Sequence, residues 1–191
     1  MIARVLDFLS EDLYNDFRSC AEELDKLDLA PVLKANWYIQ VEDLKPSFGV
    51  RVRFDQDNNG RFDRLEGVDN ALQKTIFKCL FRFYKESLTR IELSGQELLN
   101  KKVNTRVFKA EFQFTDKNAS FDRHTHSFTE VNSVLYLYPD ESIGTKFYDP
   151  DFEAPWNTNS LIVFTDQEHS FENRSIDHRR FTINTFLEVK K

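Results

Sequence analysis

The sequence predicts an α+β fold that is mainly β, a jelly-roll-like pair of sheets supported by helices from its amino-terminal half. Three observations carry this. Segments that alternate apolar and polar residues recur along the chain, most clearly from Phe48 to Phe54, from Val107 to Phe114 and from Arg180 to Leu187. Apolar residues at helical spacing are confined to two stretches, neither reaching past Leu88. All four histidines, His124, His126, His169 and His178, fall in the last third, among the strand-like segments.

Taken in order, Ile2 to Leu9 reads as a short strand, and Ser10, Glu11 and Asp12 as a helix start with Ser10 at the N-cap and acids in the first turn. Leu13, Phe17, Cys20, Ala21 and Leu24 then form one apolar stripe to lay on a sheet. Trp37 to Val41 is a further strand candidate. From Phe48 to Phe54, Phe48, Val50, Val52 and Phe54 share one face and Arg51 and Arg53 the other. A second helix is expected from about Val68 to Leu88, with Leu72, Ile76, Cys79, Leu80 and Phe83 on one side and Gly95 in a loop or at a break. Phe108, Ala110, Phe112 and Phe114 alternate with Lys109, Glu111 and Gln113 in the next strand. Val134 to Tyr138, Leu161 to Phe164 and Phe181 to Leu187 complete the strand set.

A chain of 191 residues is expected to be one domain with a sizeable core, support coming from about 1–104 and the main β structure from about 105–191. Nineteen Phe, six Tyr and two Trp favour strands and a packed interior. A net charge of -6 argues against a nucleic-acid backbone as partner. Cys20 and Cys79 are too few for a disulfide scaffold and fit a reducing compartment. No apolar run reaches membrane-spanning length, and Asp7 interrupts the opening apolar stretch, so no signal peptide is read. The expectation is a cytoplasmic protein with no membrane partner.

Side chains two residues apart in an extended strand, with a single residue between them, point the same way, so His124 and His126 can share one target. His169 can join them only if the intervening strands fold back, which would make a metal pocket in a barrel mouth. Neutral imidazoles suit iron, copper, nickel and zinc, and three protein ligands leave positions open for substrate and dioxygen. On the last strand Arg180, Thr182, Asn184 and Phe186 share one face, while Arg179, Phe181, Ile183, Thr185 and Leu187 share the other. The first face is the polar one, as expected for a strand lining a pocket. A guanidinium there can grip a carboxylate with two parallel hydrogen bonds. Arg179 reads as a salt-bridging or surface residue.

The stretch Asp55, Asp57, Asn59, Gly60, Asp63 and Glu66 matches the spacing of an EF-hand calcium loop, with oxygen donors at positions 1, 3, 5, 9 and 12 and glycine at 6. The segment entering it alternates like a strand, so a paired helix-loop-helix hand is not expected. Calcium at Asp55, Asp57, Asn59, Asp63 and Glu66 stands beside the plainer reading of a solvated acidic turn.

The last third resembles the double-stranded β-helix core of iron(II)- and 2-oxoglutarate-dependent oxygenases, in particular the prolyl-hydroxylase-like branch. The resemblance rests on an ordered series: His124-Thr125-His126, Tyr136-Leu137-Tyr138, Gly144-Thr145-Lys146-Phe147, Leu161 to Phe164, His169, and Arg180 opening a final strand. Val5 to Ser10 resembles the family's opening strand and first helix more weakly. It implies Fe(II) at His124, His126 and His169, and 2-oxoglutarate held through its far carboxylate by Arg180 with help from Tyr136. It also implies hydroxylation of an unactivated C–H bond in a small-molecule or peptidyl substrate. The chain departs from the family where His126 replaces the acidic iron ligand. Asp122, with the strand parity of His124, or Glu130, after a bulge, could supply an acid instead. A partial match to cupin motifs uses the same histidines with Glu130. It lacks the flanking glycines, and Phe164-Thr165-Asp166 stands where Pro-x-Gly belongs. It leaves two alternatives: a metal-dependent dioxygenase or isomerase indifferent to 2-oxoglutarate, and a non-catalytic metal- or ligand-binding barrel.

Overall fold

The structure is a computed structural model that describes residues 1–28, 47–54, 60–63, 68–103, 105–126 and 131–189. Its strands are β1 (Ile2–Val5), β2 (Ser47–Phe54), β3 (Gly60–Asp63), β4 (Thr105–Thr115), β5 (Ala119–His124), β6 (Val131–Tyr138), β7 (Lys146–Tyr148), β8 (Asp151–Glu153), β9 (Leu161–Phe164), β10 (His169–Asn173) and β11 (Arg180–Val189). The helices are α1 (Glu11–Lys26) and α2 (Asn70–Leu99). A seven-stranded sheet runs β1-β9-β6-β11-β4-β2-β3 and a four-stranded sheet runs β5-β10-β7-β8, every pairing antiparallel. This is the expected double-stranded β-helix, mainly β with supporting helices.

Period-two alternation decides which side of the large sheet meets the helices. Phe108, Ala110, Phe112 and Phe114 of β4, Leu161 and Val163 of β9, and Phe181, Ile183 and Leu187 of β11 pack with Leu13, Phe17, Ile76, Leu80 and Phe83 of the helices into one cluster. Its aromatic rings interlock, Phe17 stacking on Phe112 at 5.7 Å and meeting Phe83 edge-on at 6.4 Å. Each such side chain removed from water contributes roughly 1.5–3 kcal/mol. The opposite face carries a smaller cluster, Val134, Tyr136, Ile162 and Phe164 meeting Phe147 and Ala154. The space between the two sheets is therefore floored by alternate residues of β4, β6, β9 and β11.

The first helix buries the predicted stripe: Leu13, Phe17, Cys20, Ala21 and Leu24. The second differs from expectation, since it continues eleven residues beyond Leu88, through Gly95 to Leu99. Asp69 starts it, its Oδ2 accepting from the backbone N–H groups of Ala71 (2.7 Å) and Leu72 (3.2 Å), and Asn100 ends it in the left-handed conformation at φ 50°. Gly95 is a buried interior position that a loop reading mistakes for a break. A Cβ there would lie 2.8 Å and 2.9 Å from the Cγ atoms of Val131, so glycine permits the close approach of α2 to β6. Among the described residues, no helix is long and apolar enough to cross a membrane.

Asp25 and Arg179 join the end of α1 to the start of β11. The Arg179 guanidinium donates to the Asp116 carboxylate at 3.0 Å and to the carbonyls of Asp25 (2.9 Å) and Leu27 (3.2 Å), and its backbone N–H donates to Asp25 Oδ1 at 2.8 Å. Arg179 is thus the salt-bridging residue expected, and it is buried.

The strand candidate from Trp37 to Val41 lies outside the described residues, as do Asp55, Asp57, Asn59 and Glu66 of the acidic loop. What is described around that loop is a hairpin, with Phe54 paired to Gly60 and Arg51 to Asp63, and the flanks are strands. Nothing in the described structure supports calcium there.

Gly95→Ala tests the helix contact. Alanine gains about 1 kcal/mol of helix propensity, but overpacking a rigid, buried Val131 costs roughly 1–3 kcal/mol. Urea unfolding should show net destabilisation. A more stable variant would mean that the α2–β6 contact yields freely.

Candidate metal centre

The centre begins with one strand pairing. Strand β10 pairs with β5 so that His169 stands opposite His124, and Phe171 opposite Phe121. The single residue between them on β10 thus faces two on β5, a bulge in β5. The extra residue resets the alternation and brings Phe121 and His124 to the same side, their rings 4.7 Å apart. Asp122 is left exposed, and only its backbone takes part. The expectation that Asp122 shares the face of His124 fails for this reason.

His126 lies just past the end of β5 and turns back to the same point. The ring centroids of His124 and His169 are 4.3 Å apart, those of His124 and His126 4.9 Å, and those of His126 and His169 5.0 Å. One nitrogen from each ring lies within 4.8 Å of the others. Among the described residues this is the one cluster of three or more His, Cys, Asp or Glu side chains placed to share a metal ion, and it contains no carboxylate. Glu130 lies outside the described residues.

Two of the rings are oriented by backbone. His124 Nδ1 lies 2.7 Å from the Asp122 carbonyl and His169 Nδ1 2.8 Å from the Gln167 carbonyl. A carbonyl can only accept, so each Nδ1 carries the hydrogen and each Nε2 presents a lone pair. Apolar rings close around them: Phe164 meets His169 edge-on at 4.9 Å, and Phe186 meets His126 at 4.9 Å. Burial pushes all three imidazole pKa values down. His169 falls to about 4 and His126 to about 3, the latter also repelled by His169, His124 and the Lys109 ammonium. All three are therefore neutral at pH 7, the state in which imidazole donates to a metal.

Beyond Phe121 and Phe171, whose rings stack at 5.2 Å, lies Arg180. It sits on the β11 face that also carries Phe186, and it is 2% exposed. Its guanidinium carbon lies 5.6 Å from the ring centre of Tyr136, 5.1 Å from Trp156 and 5.0 Å from Phe171. Nε donates to the Ile143 carbonyl at 3.3 Å, while Nη2 is buried with no partner among the described residues. Burial draws its pKa down to about 10, so it stays charged at neutral pH. Among the described residues no carboxylate pairs with it. A buried charge left this way is costly unless an anion joins it.

Tyr136 lies beside Arg180, and its hydroxyl is committed within the protein. It donates to Thr145 Oγ1 at 3.1 Å and accepts from the Thr145 N–H at 2.8 Å. Gly144, next to Thr145, lets the Ala154 backbone come close, because a Cβ there would fall 1.6 Å from the Ala154 carbonyl oxygen. What Tyr136 offers Arg180 is its ring. Trp156 is the residue sequence reasoning missed: it stacks on Tyr136 at 4.5 Å and donates from Nε1 to the Pro139 carbonyl at 2.9 Å. No spacing in the sequence ties Trp156 to Arg180, and only the folded loop brings them together.

No family model and no curated protein sequence matches the chain. Solved structures do. A Pseudomonas putida prolyl-4-hydroxylase is 16% identical, with a TM-score of 0.61 over 99% of this chain and 92% of that one. A Neurospora crassa protein solved in complex with alpha-KG and 5-formyluracil is 10% identical, with a TM-score of 0.67 over 99% and 74%. JOX2, in complex with 2OG, Fe and JA, is 11% identical with a TM-score of 0.68 over 99% and 68%. At these identities the likeness speaks for the fold. The chain has the double-stranded β-helix fold of the prolyl hydroxylases and 2-oxoglutarate oxygenases it resembles, with a triad of histidines between its two sheets.

Proposed function

We propose that this chain is an iron(II)- and 2-oxoglutarate-dependent dioxygenase that hydroxylates a C–H bond. The observation that carries the reading is the buried Arg180 guanidinium, without a carboxylate partner among the described residues, which is linked to the histidines through Phe171 and Phe121. A metal site alone would need no such cation. A dianionic co-substrate supplies the missing charge at Arg180, and its two-carbon keto-acid end is the part suited to a metal.

In this reading His124, His126 and His169 hold the iron, through three neutral nitrogens that leave positions open. Iron(II), when bound, would let dioxygen react with 2-oxoglutarate, one oxygen atom entering the substrate C–H bond as a hydroxyl and the other going to succinate, with carbon dioxide released. The protein's own part is positioning. The Asp122 and Gln167 carbonyls fix two rings, and Arg180 binds the far carboxylate within its cage of Tyr136, Trp156 and Phe171. Phe164 shields the buried His169 and Phe186 covers one side of His126, which strengthens charge interactions there. The substrate is a small molecule or a peptidyl residue; one neighbour in fold, a Trichoplax adhaerens prolyl hydroxylase, is in complex with a peptide fragment.

One observation favours a second reading. The ligand set is all histidine, as in cupin-type oxygenases that do not use 2-oxoglutarate. Anaerobic titration of the iron-loaded protein with 2-oxoglutarate, followed by admission of air, separates the two. A visible charge-transfer band and slow succinate formation support the proposal; no band and no succinate move the assignment to the cupin type.

The two adjacent arginines should divide cleanly. Arg180→Ala keeps the metal but loses 2-oxoglutarate, by about 3 kcal/mol or more, roughly a hundredfold in Kd. Arg179→Ala leaves Kd near its original value but lowers stability by about 2–3 kcal/mol, since Asp116 and two carbonyls lose their partner. Calorimetry and unfolding of both variants measure this, and equal loss of 2-oxoglutarate affinity would show that the pocket face is misassigned.

The metal-free protein should be acid-sensitive. Because the folded histidine pKa values lie below the unfolded value of about 6.5, protons bind the unfolded state first. Stability from the neutral triad is full above pH 6.5 and declines towards about pH 3, through the low values of His169 and His126. Tm measured against pH should fall in that window, and His126→Phe should flatten the fall.

His126→Asp adds the negative donor that the site lacks. Iron should be retained, and uncoupled succinate formation retained or raised, whereas Asp122→Ala should be nearly silent. Loss of iron in Asp122→Ala would place that acid on the metal.

A further inference from the structure

Two thiols lie in the helix layer, apart from the metal centre. Cys20 belongs to the buried stripe of α1 and Cys79 to that of α2, each 3% exposed. Contacts along the two helices define how they lie against each other. Ser10 Oγ donates to Glu86 at 3.5 Å, and Arg82 Nη1 donates to the Asp16 carboxylate at 2.8 Å. The Phe17 and Phe83 rings meet at 6.4 Å. The helices are therefore antiparallel, numbers rising along α1 as they fall along α2. A helical turn takes three or four residues. One turn on from Asp16 is Cys20, and one turn back from Arg82 is Cys79. The register sets one sulfur against the other, and the two thiols share a hydrogen bond.

The pair is not symmetric. The hydrogen bond from Cys20 holds the Cys79 pKa below the usual thiol range, and the Arg82 guanidinium acts in the same direction. The same hydrogen bond, together with burial, pushes the Cys20 thiol up. In thiol chemistry the thiolate is the nucleophile. Cys79 is thus the sulfur that reacts first, and Cys20 is the neighbour that completes a bond. A link at this point would tie α2 to α1, whose Asp25 accepts from the Arg179 N–H beside the start of β11.

We infer that Cys20 and Cys79 form a redox-sensitive modification site that closes to a disulfide with a peroxide and reopens with a thiol reductant. The Cys79 thiolate attacks one oxygen of hydrogen peroxide, and the O–O bond breaks. The hydroxide released takes up the proton that Cys79 had lost and leaves as water. Cys20 then attacks the sulfur of the Cys79 sulfenic acid, and its proton departs with the hydroxyl as a second water. Two thiols are oxidised to one disulfide while one peroxide is reduced to two waters. The inference is independent of iron and 2-oxoglutarate.

The test treats the full folded chain, freed of metal by a chelator, with hydrogen peroxide. The intact mass should fall by two hydrogen atoms, and proteolysis should release Cys20 and Cys79 in one cross-linked peptide pair. Tm should rise by about 5 °C or more, and dithiothreitol should reverse both changes. In Cys20→Ala, peroxide should leave a sulfenic acid on Cys79 that dimedone labels. In Cys79→Ala, Cys20 should stay unlabelled at the same peroxide concentration. Addition of oxygen without a cross-link, cross-links only between two chains, or an unchanged mass would each overturn the inference. A cross-link that lowers Tm would overturn it too, since the fold would have to distort to make the bond. Equal labelling of the two variants would overturn the assignment of Cys79 as the attacking sulfur.

Discussion

The antiparallel pairing of β10 with β5 is the contact on which the centre depends. It sets His169 opposite His124, residues far apart in the chain. The bulge within it turns His124 inward together with Phe121 and turns the Asp122 carboxylate out. The same short stretch frees the Asp122 carbonyl to fix the His124 ring. Ligand choice, ring tautomer and the exclusion of Asp122 from the triad all follow from one extra residue in one strand.

The larger sheet does the complementary work. Its helix-facing side is a continuous apolar layer, and this lets the other side carry charge and polar groups without loss of the core. Strand β11 shows the division most plainly. Phe181, Ile183 and Leu187 are anchored against the helices, and the residues between them, Arg180, Thr182, Asn184 and Phe186, are presented to the cavity. The Arg179–Asp25–Asp116 contacts hold the start of that strand to α1, so the neighbouring Arg180 is placed by a rigid frame. Adjacent arginines thereby differ: Arg179 is satisfied by the protein, while Nη2 of Arg180 is buried with no partner among the described residues.

Between the sheets the electrostatics are unusual for an interior. Three imidazoles are held neutral by burial, with lone pairs converging, and a guanidinium is kept charged without a counter-ion among the described residues. Folding tolerates these costs only because the aromatic rings around them are themselves well packed. Phe147 contacts both Phe164 and His169, and Phe171 stacks on Phe121 while facing Arg180. The same side chains that stabilise the small sheet therefore shape the site.

Much of this was legible in the sequence, because it depends on periodicity alone. The helical stripe of Leu13, Phe17, Cys20, Ala21 and Leu24, the two faces of β4 and β11, and the inward position of Arg180 need only the spacing of residues along one element. The convergence of His124, His126 and His169 was expected from the one-residue spacing of the first two and from the family resemblance that adds the third, and the three rings do meet. Other features were decided between elements. Gly95 reads as a break because glycine disfavours helices, yet it is interior to α2 because β6 comes too close for any side chain. Asp122 reads as a partner of His124 by parity, and a bulge visible only in the strand pairing removes it. Trp156 carries no motif and gains its place beside Tyr136 from a folded loop. A sequence determines which face of its own strand a side chain takes, but distance to a residue on another strand is set by register, and register is a property of the packed sheet.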